Sequence, residues 1–213
     1  MLARDFIRRF ELSGGQRLTE LRRFYNELLR GGADVGAQPD PHALIKMCDM
    51  DGEGDVQECR DLIDGGGIDI DEQDDDGDTA LMNAASFGPP ALVEMLLEKE
   101  ADKELRNNEG KTALMYAAWV GPKRGVVMLL EEGADIDVQD DDGNTALILA
   151  TSQGRRRVVE ELVNNGANIA VANNAGNTAL QLAQEMNYAD IVTILQGAGG
   201  GGSTKDDDGE GQG

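Results

Sequence analysis

The stretch DDGDTALMNAASFGPPALVEMLLEKEADKELRN, residues 75–107, contains one full copy of the pattern that decides the fold. Its motif Gly-x-Thr-Ala-Leu returns at a constant interval of 33 residues, at Gly77–Leu81, Gly110–Leu114, Gly143–Leu147 and Gly176–Leu180. Fixed periods of roughly 20 to 50 residues are typical of stacked repeat proteins, whose units share a continuous core and leave one long face free. The period therefore favours a binding protein over an enzyme with a catalytic pocket.

Within each unit the residue types predict two helices joined by a loop. Thr79 stands at an N-cap position, where its hydroxyl can accept a hydrogen bond from a backbone N–H of the first turn. Gly88 and the two prolines after it end this first helix, because proline cannot donate to the preceding turn. The apolar stripe of a second helix follows, at Leu92, Val93, Leu96 and Leu97.

The same marks keep their phase in the other units. The loop glycine, the aliphatic pair and the pair that begins with alanine recur at Gly121, Gly154, Leu129-Leu130, Leu162-Val163, Ala134-Asp135 and Ala167-Asn168. Over about residues 40–197 the chain thus resembles the ankyrin repeat family. The resemblance implies an all-α fold, a solenoid of helix-turn-helix repeats with about four clear repeats and diverged terminal repeats.

Two residues of the family pattern are replaced in this chain. The family's proline is alanine in all four units, and its histidine is replaced by Met82, Met115, Ile148 and Gln181. Alanine is a good residue for the first turn of a helix, so the helix start survives. The loss of the histidine is expected to remove hydrogen bonds between adjacent units without changing the fold.

The repeat phase also divides the chain into segments. The leucine pair recurs backwards at Leu62-Ile63 and Leu28-Leu29, so we expect an N-terminal helical cap or half-repeat over 1–37 and a diverged repeat over 38–73. Four repeats then occupy 74–197. Residues 198–213 contain no apolar side chain larger than alanine, which predicts a disordered Gly/Asp-rich tail. The arginine-rich start is also typical of mitochondrial transit peptides, but Asp5 and Glu11 favour the cap.

The net charge of the chain limits the classes of partner that it can bind. With 41 acidic and 19 basic residues the formal net charge is −22, and such a surface repels nucleic acid. We expect no membrane partner, because no apolar run approaches the length of a membrane span, and we expect a cytoplasmic or nuclear location. The acid excess either serves solubility alone or attracts a protein with a basic or mixed apolar–basic surface.

Few residues suggest catalysis or cofactor binding. His42 is the only histidine, and no phosphate-binding loop, nucleophile elbow or Cys-x-x-Cys pair is present. The sequence therefore predicts a protein that is not an enzyme and has no cofactor. One alternative is a Ca²⁺-responsive binding protein, since Asp49, Asp51 and Glu53 fit the early positions of an EF-hand loop. Position 12 of that loop is Arg60 instead of glutamate, and the repeat phase also explains the segment.

The resemblance further implies where a partner binds. In ankyrin-like proteins the partner usually lies on the concave side, against the turn tips and the exposed ends of the first helices. In this chain the candidate residues are Asp75, Asp76, Asp78, Phe87, Glu109, Lys111, Tyr116, Trp119, Asp141, Asp142 and Asn144. Trp119, the only tryptophan, is either an interface hot spot or a side chain that packs over the next repeat. An apolar anchor ringed by carboxylates would suit an apolar segment flanked by Lys or Arg.

Two further charged features follow from the repeat phase. The acid runs Asp74–Gly77 and Asp140–Gly143 are expected at turn tips, facing water. A possible basic patch comprises Lys123, Arg124, Arg155, Arg156 and Arg157, which follow the loop glycines. Such a patch would suit an anionic partner, or it is balanced by acids such as Glu160 and Glu161.

Overall fold

A computed structural model of the chain describes residues 44–45, 56–65 and 68–199. The predicted cap over 1–37, His42, the candidate calcium ligands Asp49, Asp51 and Glu53, and the tail from residue 200 onward lie outside the described residues. The described part is built from helices and turns. Its named helices are α1 (Val56–Asp64), α2 (Ala80–Phe87), α3 (Pro90–Glu98), α4 (Ala113–Trp119), α5 (Lys123–Glu131), α6 (Ala146–Ser152), α7 (Arg156–Asn164), α8 (Ala179–Glu185) and α9 (Ala189–Gly199).

In each of the four clear repeats the first helix begins at a threonine cap, as predicted. The Oγ1 atoms of Thr79, Thr112, Thr145 and Thr178 each accept from the backbone N–H three residues later, at distances of 3.3, 3.4, 3.3 and 3.3 Å. Such a cap satisfies a backbone donor that has no partner within the helix. The recurring threonine therefore fixes where α2, α4, α6 and α8 begin.

The helices pack in two layers. The first helices α2, α4, α6 and α8 contact one another in order, and the second helices α3, α5, α7 and α9 form a parallel series behind them. Helix α1 contacts α3, so it continues the series of second helices backwards into the diverged repeat. The core consists of small and aliphatic side chains, among them Ala84, Ala117, Leu96 and Leu129, all of which are fully buried.

The position at which the family carries histidine is apolar here. Met82, Met115 and Ile148 are buried there, so three of the repeats gain core packing in place of a polar side chain. In the last repeat Gln181 accepts from the backbone N–H of Thr178 and completes a capping box with it. Hydrogen bonds between repeats are made by other residues, chiefly at the turn tips.

The C-terminal helix is longer than the repeat phase indicates. Helix α9 runs to Gly199, two residues into the segment predicted to be disordered, and its buried residues Ile191 and Leu195 anchor it to the stack. Among the described residues, no helix has both the length and the apolar character that a membrane crossing requires.

Candidate functional site

Each turn tip is closed by one side chain at its first position. Asp74, Asn107, Asp140 and Asn173 each accept, through Oδ1, from the backbone N–H groups two and four residues later, at 2.7–3.1 Å. Asp140 is only 6% exposed, so the prediction that the Asp140 acid run faces water is wrong for its first member. Its carboxylate is used within the turn, and Asp74 is likewise half-buried.

Successive tips are joined by backbone hydrogen bonds. The N–H groups of Asn108, Asp141 and Asn174 donate to the carbonyl oxygens of Asp76, Glu109 and Asp142 of the preceding tip, at 3.0, 3.0 and 2.9 Å. The side-chain amides of Asn108 and Asn174 reinforce two of these junctions through Asp75 O and Asp141 O, each at 2.9 Å. The tips therefore form one continuous ladder with a fixed spacing.

Arg106 adds to this ladder at the second tip. Its Nη2 donates to Gln139 O of the next repeat at 2.8 Å, and its Nε donates to Gly110 O at 3.0 Å. The same guanidinium lies 3.6 Å from the Asp141 carboxylate. In other repeats a glutamine, Gln73 or Gln139, makes the equivalent contacts to its own tip and to the next. Asp141 is thus partly neutralised by an arginine that also holds the ladder.

Tyr116 and Asp78 form a polar contact between the first and second repeats. The Tyr116 hydroxyl donates to the Asp78 carboxylate, with distances of 3.0 and 3.2 Å to its two oxygens. Asn107 Nδ2 donates to both groups, at 2.8 Å to Asp78 and 3.1 Å to Tyr116. Burial and the neighbouring Asp78 charge raise the pKa of Tyr116, so its hydroxyl remains a donor. Both residues therefore serve chiefly as a link between repeats.

Trp119 lies against the second tip. The Lys111 ammonium group lies 5.1 Å from the centroid of the Trp119 ring, within cation–π range, and it also pairs with the Glu109 carboxylate. Trp119 is 36% exposed, and on its flanks Phe87 and Val120 are 57% and 43% exposed. We call Phe87, Trp119 and Val120 the apolar patch. They lie at the C-terminal ends of the neighbouring helices α2 and α4, and the Lys111 side chain connects Trp119 to the second tip.

The carboxylates of the tips differ in whether they make hydrogen bonds or ion pairs within the protein. Asp75, Asp76 and Asp142 are exposed, and their carboxylates make no hydrogen bond or ion pair within the described part of the chain. Asn144, another predicted site residue, is committed to the fold: its Oδ1 accepts from Asn173 at 2.9 Å and its amide donates to Asp140 at 3.2 Å. The free charge is therefore concentrated on the first and third tips.

The predicted basic patch is largely used in internal contacts. The Arg155 guanidinium donates to Gly121 O, and burial lowers its pKa. Lys123 pairs with Glu161 at 2.7 Å, which lowers the pKa of that carboxyl, and Arg156 lies 3.9 Å from Asp190. Across residues 44–45, 56–65 and 68–199, Arg124 and Arg157 are exposed and have no such partner. The expected compensating acid is thus confirmed for Glu161.

Sequence reasoning missed two contributors to this region, Asn107 and Arg106. The repeat phase could have identified Asn107. Asn107 and Asn173 occupy the repeat position that Asp74 and Asp140 hold in the other repeats, which indicates that this position requires a hydrogen-bond acceptor rather than a charge. No group of three or more His, Cys, Asp or Glu side chains in the described residues is arranged to hold a metal ion.

The fold and this face define a class, that of helical repeat proteins that present a ladder of turn tips. A family model for ankyrin repeats, in three copies, matches residues 44–140 and 123–204. The chain belongs to the ankyrin repeat family. The matched range includes the segment with Asp49, Asp51 and Glu53, for which Ca²⁺ binding stays a prediction. No individual curated protein matches the chain.

Proposed function

We propose that the chain is a non-catalytic protein–protein interaction module, acting as an adaptor, scaffold, inhibitor or assembly factor, and that its partner binds across the turn tips and the apolar patch. Ankyrin repeats are generally modules of this kind. The observation that carries the proposal is the exposure of Trp119, which is 36% exposed beside Phe87 and Val120. Tryptophan side chains often contribute a large share of the binding energy at protein interfaces.

The surroundings of the patch support a protein partner of basic or apolar–basic character. A patch of exposed aromatic and aliphatic side chains with polar groups at its rim is typical of a binding surface. The net charge of −22 favours a basic protein and disfavours nucleic acid. The ladder holds the tips in place before binding, which lowers the ordering cost of association.

Affinity capture with the full-length chain as bait, from an extract of cells that express it, tests the proposal. A captured protein is then purified and its Kd measured against the wild type and Trp119→Ala. We expect Trp119→Ala to weaken binding at least tenfold, as loss of a hot spot does. Met186→Ala is the matched control, because Met186 occupies the repeat position of Phe87 and is 45% exposed, but lies in the fourth repeat. Equal affinities for Trp119→Ala and the wild type would reject this face as the binding site.

A further inference from the structure

We infer that the occupant of this face is an extended segment in which one large apolar side chain is flanked on both sides by Lys or Arg, the two cationic positions lying about six residues apart. This inference rests on the proposed function and names the chemistry of the partner. The apolar side chain would contact Trp119, and the cations would reach the first and third tips.

Unpaired carboxylates are unevenly distributed along the ladder. On the first tip Asp75 and Asp76 are exposed and unpaired within the described residues, and on the third tip Asp142 is. The acids nearest to them are already engaged, since Asp78 accepts from Tyr116 and Asp141 lies beside Arg106. Two separated centres of negative charge therefore remain for a partner.

The second tip, which lies between these two charge centres, is different in character. Glu109 is paired with Lys111, and the Lys111 ammonium lies over the Trp119 ring, so the second tip offers apolar surface and a balanced charge pair. A cationic side chain of the partner placed at the second tip would be repelled by the Lys111 ammonium group. The middle of the segment is therefore apolar, and the requirement for cations applies only to its two ends.

The distance between the two charge centres determines the spacing of the two cations. The ladder bonds join tip one to tip two and tip two to tip three, so the two charge centres are two repeats apart. Packed neighbouring helices are separated by about 10 Å, which places the centres about 20 Å apart. An extended chain covers that span in about six residues. The fourth tip, with Asn174, Ala175 and Asn177, is uncharged, so we expect no cation of the segment to bind there.

A display selection tests this inference directly. A library of random 12-residue peptides is selected on the full-length chain, and each enriched peptide is measured against the wild type and Trp119→Ala. We expect peptides that depend on Trp119 and carry an apolar residue between Lys or Arg residues about six positions apart. Peptides that depend on Trp119 but lack the flanking cations would overturn the inference and leave the proposed function standing. Enrichment without any dependence on Trp119 would overturn both.

A charge-matched pair of variants sharpens the test. Asp75→Asn with Asp76→Asn is expected to weaken the selected peptides about three- to tenfold, and Asp142→Asn about two- to fivefold, because exposed ion pairs contribute modestly. Glu131→Gln with Glu132→Gln removes the same charge as the first pair from exposed positions at the end of α5. Equal weakening by this control pair would show attraction to overall charge alone, and the inference would fail.

Discussion

At the four turn tips glycine holds the same left-handed backbone in every repeat, whereas the loops between paired helices use two conformations. The tip glycines Gly77, Gly110, Gly143 and Gly176 have φ values of 79°, 76°, 78° and 82°. In the loops, Gly88 is extended at φ −73° and ψ 161°, whereas Gly154 and Asn187 are left-handed at φ 65° and 60°. The residue that follows accounts for the difference, because a following proline such as Pro89 disfavours helical backbone before it.

The difference shows what keeps a position uniform in a repeat protein. The second, third and fourth tips each donate a backbone hydrogen bond to the tip before them, so a change of conformation in one tip would break a junction. The loops meet their neighbours mainly through side chains, such as Arg155 on Gly121 O, and can differ from repeat to repeat. The uniform tips carry the charged part of the candidate site, where a preformed surface is an advantage.

The largest effect is expected in a loop, from Gly121→Ala. The added Cβ would lie far inside contact distance of Ala85 O and 2.9 Å from Ala117 Cα, so backbone must move. We expect a loss of about 3 kcal/mol in the free energy of unfolding, measured by urea denaturation. Gly125→Ala is the matched control: its Cβ would meet the same region at 3.8 Å, and alanine should stabilise helix α5 by about 0.5 kcal/mol. If both variants lose equal stability, contact in the loop is not the cause.

The next effect tests whether the ladder makes the tips uniform. In Gly143→Ala the Cβ would lie 2.8 Å from the Asn174 backbone nitrogen, whereas at Gly176, the last tip among the described residues, nothing lies within 4 Å. We expect Gly176→Ala to cost about 1 kcal/mol for its left-handed backbone, and Gly143→Ala to cost about 2 kcal/mol in total. Chemical denaturation of the two variants measures the difference. Equal costs would mean that the ladder does not restrict the tips.

A smaller loss is expected from Tyr116→Phe, which removes the side-chain link between the first tip and the second repeat. The Asp78 carboxylate would keep Asn107 as its donor but lose the hydroxyl, at a cost of about 1.5 kcal/mol. The loss of stability is measured as a lower Tm in thermal denaturation. Tyr188→Phe is the control, since within the described residues the Tyr188 hydroxyl donates to no partner. An unchanged Tm for Tyr116→Phe would show that the backbone ladder alone holds the first tip.

A gain in stability is expected from Glu100→Gly, where the chain leaves α3 for the second tip. Glu100 is left-handed at φ 63°, and the equivalent positions in the next repeats are Gly133 and Gly166, at φ 78° and 88°. Glycine should stabilise the fold by about 0.5 to 1 kcal/mol, because a side chain is strained there. The reverse change, Gly133→Glu, should cost a similar amount. A loss of stability in Glu100→Gly would show that the Glu100 side chain makes a needed contact.

The smallest effect concerns pH and the carboxylate of Asp71. Burial raises the pKa of this carboxyl above 3.8, although the Asp102 backbone N–H that donates to it at 2.8 Å acts in the opposite direction. The folded state therefore binds the proton more tightly than the unfolded state, so stability should rise as the pH falls through the window just above 3.8. Asp71→Asn keeps the acceptor oxygen and should remove this contribution, seen as a flatter Tm profile between about pH 4 and 7. An identical profile would reject Asp71 as the source.

Much of the fold follows from local signals that the sequence carries. The threonine cap and the loop glycine predict a first helix from Ala80 to the residue before Gly88, and α2 has these bounds. The exposure of Phe87 and Trp119 also follows, because their repeat positions lie outside the apolar stripe. These features depend on residues within a few turns of one another, for which propensity and capping are sufficient.

The roles of individual polar residues depend on distant contacts and could not be read from the pattern. The acids Asp140, Asp141 and Asp142 are consecutive and chemically identical, yet the first closes a turn, the second lies beside Arg106 and the third pairs with no described residue. Tyr116 and Asp78 are 38 residues apart, and their hydrogen bond depends on how two repeats stack. Such assignments require the packed structure, since residue type alone does not distinguish them.

The position of Trp119 gives the molecule a built-in optical probe. As the only tryptophan, it is the source of all indole fluorescence, and its ring is in contact with Lys111 of the second tip. A ligand that displaces this lysine or covers the ring will change the intensity and wavelength of emission without any added label. The signal also comes from a single repeat, whereas circular dichroism averages over all helices. If the stack unfolds in stages, as repeat arrays can, the two signals will give different midpoints.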